Sequence, residues 1–325
     1  MKTRQVGKLE VSAVGLGCMG FSHGYGPGPD HDASIELIRY AFEQGCTFFD
    51  TAEGYGTGDN EQLVGEALEP FRDEVVVATK LHLDPDEAAT RRDLARQLRR
   101  RLEASLTRLR TEQVELYYQH RVIESIPVED VAGCMGELIE EGKIGGWGQS
   151  QASEQELRAA HAVTPLTAVQ SEYSIMERMF ERDVIPACDE LGIGFVAFSP
   201  LASGFLTGTV SADDEYVGDD VRRVITRFEP DNIRANQPLL DLIRAMAADQ
   251  GATPAQVSLA WMLRKSPSIV PIPGSRTAVR IAENLGAADV ELTDDDFARI
   301  EAELATLEIH GNRTDEDIAR LRAAR

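Results

Sequence analysis

A chain of 325 residues with 42% hydrophobic residues has the apolar content for a full core without disulfides or metals. Its formal net charge of -22 opposes phosphate backbones at long range, which argues against nucleic-acid partners and makes any anionic ligand depend on a local cluster of Lys or Arg. No run of eighteen apolar residues occurs, the N-terminus carries no apolar stretch, and Cys18, Cys46, Cys134 and Cys188 form no Cys-x-x-Cys pair, so the expected class is a cytoplasmic protein with reduced core thiols and no membrane partner.

The chain opens on an expected hairpin over 3–11, with Gly7-Lys8 at its turn. Short β-rich runs then alternate with helical patterns: 14–16, 46–49, 75–78, 114–118, 144–148, 168–170, 194–198 and 269–272. Capping boxes at Ser153/Glu156 and Thr253/Gln256 start helices, and Gly45, Gly142, Gly192 and Gly286 stand where helices should end. The longest helix, about 90–109, carries Leu94, Leu98, Leu102 and Leu106 as one stripe. Eight strand-helix units predict an α/β fold, a (β/α)8 TIM barrel filling 1–325 as one domain, with an N-terminal hairpin and an extra C-terminal helix from about Thr293. Gly15 to Gly20 spells G-x-G-x-x-G, but a polar, Pro-rich loop follows it where a dinucleotide fingerprint requires a helix.

The insert 200–237 and the tail beyond Gly286 break the rhythm, and a basic island stands out on the long helix. Residues 200–237 form a long acidic insert after the seventh strand, expected to fold over the site together with the tail near His310. On the long helix, Arg91, Arg92, Arg96, Arg99, Arg100, Arg101, Arg108 and Arg110 make a basic island, read as a solvated face paired with Asp93, Glu103 and neighbours, or alternatively as a subunit contact.

In such a barrel the site lies at the C-terminal ends of the strands. Asp50 ends the second strand with Tyr55 on its loop, Lys80 ends the third and His120 the fourth. These four have a joint chemistry. A free phenol titrates near ~10. A nearby ammonium stabilises the phenolate, a carboxylate holds the ammonium, and a histidine can hydrogen-bond a substrate carbonyl beside the tyrosine.

Together with the segments 15–20, 50–56, 78–80, 116–120, 170–174, 199–208 and Pro273-Gly-Ser-Arg276 running into Glu283-Asn284, these residues give a chain that resembles the aldo-keto reductases, in the branch similar to microbial and plant enzymes and to potassium-channel β subunits. The resemblance implies an NADPH-dependent (β/α)8 oxidoreductase that reduces aldehydes and ketones, with Tyr55 as general acid and Asp50, Lys80 and His120 in support. It implies Ser150, Gln151 and Gln170 at the nicotinamide carboxamide, Phe198 stacked on the nicotinamide, and Ser199, Leu201, Gly204 and Leu206 beside the pyrophosphate. Ser275, Arg276 and Arg280 fall at the 2'-phosphate, and Glu283 and Asn284 at the adenine. Arg276 and Arg280 are also the local cations that an anionic cofactor needs here, and Arg suits bidentate phosphate contacts. Gln149 and Gln151 depart from the usual family residues. Met19, Phe21, Tyr25 and Trp147 are the candidate substrate-pocket residues, for a small-molecule carbonyl compound, in a monomer or a homo-oligomer.

Two rival readings remain. Asp50, His82, His120 and Glu172 near strand ends could suggest a metal-dependent hydrolase, but no His-x-His occurs and there are only six histidines, so no metal is expected. A cofactor-loaded regulatory or redox-sensing barrel with little turnover is the other.

Overall fold

The computed structural model describes residues 1–313. Two antiparallel strands, β1 (Thr3–Val6) and β2 (Leu9–Ser12), precede eight parallel ones. These are β3 (Leu16–Gly17), β4 (Phe48–Asp50), β5 (Val76–Leu81), β6 (Leu116–Gln119), β7 (Trp147–Ser150), β8 (Ala168–Glu172), β9 (Gly194–Phe198) and β10 (Ile269–Pro271), each paired with the next in chain order. The N–H of Gly15 donates to the carbonyl of Pro271 at 2.9 Å, joining the last strand to the first. The eight parallel strands with surrounding helices are the expected (β/α)8 fold.

Strand periodicity sorts the side chains into two layers. Phe48, Ala78, Leu116, Tyr118, Ala168, Val196 and Val270 fill the interior of the barrel, and the larger cluster lies between strands and helices. Gly148 is required in the interior because a Cβ there would come within 2.5 Å of the Tyr118 ring and of the Ala168 carbonyl. The hairpin closes the N-terminal end: Val6 and Val11 join the interior cluster. Arg4 fastens it by donating to the carbonyls of Ser266 at 2.6 Å and Ile269 at 2.9 Å. Gly7 takes the turn with φ +58.

The expected helix signals are found with small shifts. The helix α1 (His31–Glu43) follows the Pro-rich loop, so the third glycine of the G-x-G-x-x-G run opens only a short turn, Met19–Phe21. Next come α2 (Asp59–Leu68), α3 (Arg91–Arg108), α4 (Val128–Glu140), α5 (Glu154–Val163) and α6 (Val184–Leu191). Thr90 caps α3, and both capping boxes form, at α5 and at the helix Pro254–Lys265. Gly45, Gly142 and Gly192 adopt left-handed conformations at helix ends. Gly286 does not: its φ is -63 and the chain runs on into the short turn Ala287–Asp289. The β7 pairing also begins earlier than the strand itself, with a bridge from Val114 to Ile144. Thr293 caps the extra helix Asp294–Leu304.

The insert is built of single turns and the helix Pro230–Ala235, held by side chains more than by ladder. Asp219 accepts from the N–H groups of Gly24 and Gly26, and Arg227 forms an ion pair with Glu172 with both side chains 1% exposed. Thr226 and Asn236 bond the backbone of Asn312 and His310, bringing the tail to the same side. The basic island pairs chiefly with neighbouring helices: Arg91 with Glu137, Arg99 with Glu141, and Arg110 with Glu66 and Glu69, while Arg96 with Asp93 is the local exception.

Candidate active site

A cavity of about 380 Å³ opens at the C-terminal ends of the strands. Asp50, Ser150, Gln170 and Phe198 reach it from interior positions of β4, β7, β8 and β9, and His120 from just past β6. Tyr55 comes from the β4–α2 loop, whose Gly56 and Gly58 take left-handed conformations at φ +58 and +97.

Lys80 is fully buried on β5 and its ammonium has three acceptors: the Asp50 carboxylate, the Thr51 carbonyl at 2.8 Å and the Tyr55 hydroxyl at 3.2 Å. An ammonium has three N–H donors, so the arrangement satisfies the charged form. Burial alone pulls the lysine's pKa down, but the Asp50 carboxylate and Tyr55 outweigh it and hold it above the ordinary value. Burial pushes the Asp50 carboxyl up, opposed by Lys80 and by the Gln170 amide, which donates to Oδ2 at 2.7 Å. Tyr55 accepts from Lys80, so its own proton is left to point into the cavity.

His120 lies edge-on to Tyr55 with ring centroids 5.8 Å apart, and His82 packs against it at 4.1 Å. Its Nδ1 is buried without a partner among the described residues. Burial, reinforced by Lys80, Arg121 and His82, holds its pKa well below the usual histidine range, so the ring is neutral. The folded chain then refuses a proton that the unfolded chain accepts below about 6.5, and stability falls as pH drops through that region. Urea unfolding between pH 7.5 and 5 should show this slope, and His120→Gln should flatten it. An unchanged slope would mean that the ring is protonated in the native state.

On the other side of the cavity lie Ser199, Leu201, Ser203 and Gly204, then Ser275, Arg276, Arg280, Glu283 and Asn284. Ser199, Ala202 and Ser203 hold φ of 48, 50 and 57, strain of the kind that gathers at ligand clamps. The Ser203 hydroxyl is buried with no partner among the described residues. Arg280 pairs with Glu283 at 2.5 Å, and Arg276 donates to the Pro27 carbonyl at 2.8 Å, near the start of the helix Ala278–Gly286. An unpaired buried hydroxyl on a strained loop, an aromatic face at Phe198 and two arginines at a helix start fit a phosphorylated dinucleotide.

Several expected positions lie elsewhere. Trp147 is fully buried in the layer between sheet and helices and donates to the Thr164 carbonyl, because it begins β7 on the face opposite Ser150. Phe21 packs into the same outer core, and of the four pocket candidates Met19 and Tyr25 line the cavity. Gln151 is buried at φ +56 with its side-chain Oε1 accepting from the Glu172 N–H, and Leu206 is buried beneath the loop; neither lines the cavity. Gln149 bonds Gln119 away from the cavity. His82 lies near His120 and Glu172 is paired with Arg227; among the described residues no group of three or more His, Cys, Asp or Glu is placed to hold a metal ion.

Three lining arginines were missed by the sequence reading. Arg121 follows His120 directly and donates to Ser150 at 3.2 Å, so its strand-end position was the available signal. Arg222, packed on Tyr216 and Tyr25 and paired with Asp220, comes from the insert. Arg313 lies 5.2 Å over the Phe198 ring and comes from the tail. Neither segment has a periodicity that reveals where it docks.

A model of the Aldo/keto reductase family matches residues 13–305. The probable aldo-keto reductase 1 of Glycine max is 38% identical over 310 residues, covering 94% of this chain and 89% of that one. Among solved structures, the glycerol dehydrogenase AKR11B4 of Gluconobacter oxydans superposes with a TM-score of 0.84 at 27% identity, covering 95% and 96% of the two chains. An aldo/keto reductase of Klebsiella pneumoniae in complex with NADP and acetate has a TM-score of 0.74 at 27% identity, covering 97% and 99%. With its barrel, its strand-end residues and these matches in agreement, the chain belongs to the aldo/keto reductase family.

Proposed function

We propose that this protein reduces aldehyde and ketone carbonyls to alcohols with NADPH, and that Tyr55 supplies the proton. The observation that carries the reading is the buried Lys80 ammonium, which donates to both Asp50 and Tyr55 at the floor of the cavity. The family is one of carbonyl oxidoreductases, and the Klebsiella pneumoniae relative with NADP supports the choice of cofactor.

NADPH, when bound, supplies a hydride. The remaining chemistry falls to the chain. His120, neutral, donates a hydrogen bond to the carbonyl oxygen and aligns it beside Tyr55. Tyr55 gives its proton to the oxygen as negative charge develops there, and the Lys80 ammonium stabilises the phenolate left behind. Asp50, braced by Gln170, keeps Lys80 in place. Met19 and Tyr25, with the Phe198 edge, give the substrate an apolar wall. Ser150 and Gln170 hold the nicotinamide end, and Arg276 and Arg280 the 2'-phosphate, with Asn284 beside them.

The test follows absorbance of the reduced nicotinamide over a panel of aldehydes, ketones, dicarbonyls and sugars, with NADPH and NADH in parallel. Turnover with NADPH is expected, and Arg276→Ala should weaken NADPH binding roughly 10–100-fold, the loss of a charge-assisted contact, while barely changing NADH. Tight NADPH binding without turnover of any carbonyl would move the reading to a cofactor-bound regulatory barrel. Equal losses for both cofactors would remove Arg276 from the 2'-phosphate.

A further inference from the structure

The arginine-rich helix α3 does more than decorate a surface, and the difference lies in where two of its arginines go. Arg91, Arg99 and Arg100, like Arg110 just past the helix, reach glutamates on exposed faces. Arg101 and Arg108 turn toward the β4–α2 loop. Arg108 lies against Gly58 and bonds Glu61, which is fully buried and also accepts from Thr79 at 2.5 Å. Arg101 donates to Glu53 at 2.9 Å, and this side-chain pair is 29% and 11% exposed.

Glu53 stands between Asp50 and Tyr55. Its N–H donates to the Lys80 carbonyl at 3.1 Å, and its carboxylate oxygen Oε1 also accepts from the His82 N–H at 3.0 Å. A Cβ on Gly54 would come 3.4 Å from the His82 ring, and that ring packs on His120. Glu53 thus ties the loop that carries Tyr55 to the end of β5 twice, through its N–H on the Lys80 carbonyl and through its carboxylate on the backbone N–H of His82, the residue whose ring packs on His120. Past Glu53 the loop turns on Gly54, Gly56 and Gly58, and Tyr55 is held there by its N–H on the Ala52 carbonyl at 3.1 Å and by Lys80 at its hydroxyl.

We propose that Glu53 and Arg101 form a positioning pair that fixes the distance between the Tyr55 hydroxyl and Lys80. Arg101 orients Glu53 by donating to its carboxylate, and Glu53 sets the loop. The inference rests on Tyr55 being the proton donor. A displacement of the hydroxyl by a fraction of an ångström weakens the proton transfer without touching the phosphate end of the cavity, so the loss falls on kcat.

The test compares Arg101→Met, Arg101→Lys and Glu53→Gln with Arg99→Met, which breaks an exposed pair of the same helix, to Glu141. For each, kcat and KM for an aldehyde, the Kd for NADPH by fluorescence, and Tm are measured. Arg101→Met should lower kcat about tenfold with the Kd for NADPH unchanged. Arg101→Lys should recover part of it, the near-isosteric Glu53→Gln should reproduce the loss, and Arg99→Met should leave kcat as it was. In a Tyr55→Phe background, Arg101→Met should cost nothing further. Wild-type kcat in both Arg101→Met and Glu53→Gln overturns the proposal, as does a loss that appears equally in Arg99→Met or in the Kd for NADPH. Full activity in Tyr55→Phe alone would instead sink the assignment of the proton donor, an outcome separate from any result at Arg101.

Discussion

Tyr55→Phe is expected to lower kcat for aldehyde reduction by roughly 10²–10⁴-fold, the range that a positioned general acid contributes, while the Kd for NADPH stays within a few-fold. The substitution removes one oxygen. Lys80 keeps its bonds to Asp50 and to the Thr51 carbonyl, so the buried charge remains held, and Tm should move little. KM should also change little, since the ring and the His120 edge contact survive. The measurement is steady-state NADPH oxidation beside a fluorescence titration. A variant that retains half the wild-type rate would show that the proton comes from another group.

Lys80→Met should be as damaging to turnover and far worse for the fold. Lys80 is fully buried and Asp50 nearly so; without the ammonium, the Asp50 carboxylate keeps the Gln170 amide as its partner at a position with little exposure. Breaking a buried pair at one end costs about 3–5 kcal/mol, whereas replacing both ends is often close to neutral. Urea unfolding of Lys80→Met, Asp50→Asn and the double variant at pH 7.5 should therefore be strongly non-additive, with the double variant regaining most of the stability that the lysine variant loses. Activity should not return in the double variant, because the phenolate of Tyr55 has lost its counter-charge. Additive losses would mean that the two groups do not share one buried interaction.

The strand ends could be read from the sequence because β structure has a period of two. Phe48 and Asp50, Ala78 and Lys80, and Tyr118 and His120 are each two apart, so an interior residue in the barrel core places its polar partner at the mouth. The same arithmetic puts Trp147, three residues from Ser150, on the outer face, so the tryptophan lay within reach of sequence reasoning once the inward face of β7 was taken from Ser150. Gln151 escaped it, since a left-handed φ ends the alternation at that residue. Arg222 and Arg313 lie in segments set by tertiary hydrogen bonds such as Asp219 to Gly24 and Thr226 to Asn312, for which no local pattern exists. The paired arginines of α3 were legible as a solvated face, but their partners on α2 and α4 depend on how helices pack, which one sequence does not state.

The seal between the first strand and the last bears on how the chain is made. Arg4 finds the Ile269 carbonyl 265 residues further along, and Gly15 waits for Pro271 in the same way. At about 5–20 residues per second, a ribosome takes roughly 13–50 s to deliver those partners. During that time β3 is an unpaired parallel edge beside an open apolar interior, the kind of surface that invites mispairing. The nascent protein is therefore most exposed to aggregation just before its last strand emerges, and the hairpin that ends up as the floor of the barrel is among the first parts made and the last to be locked in place.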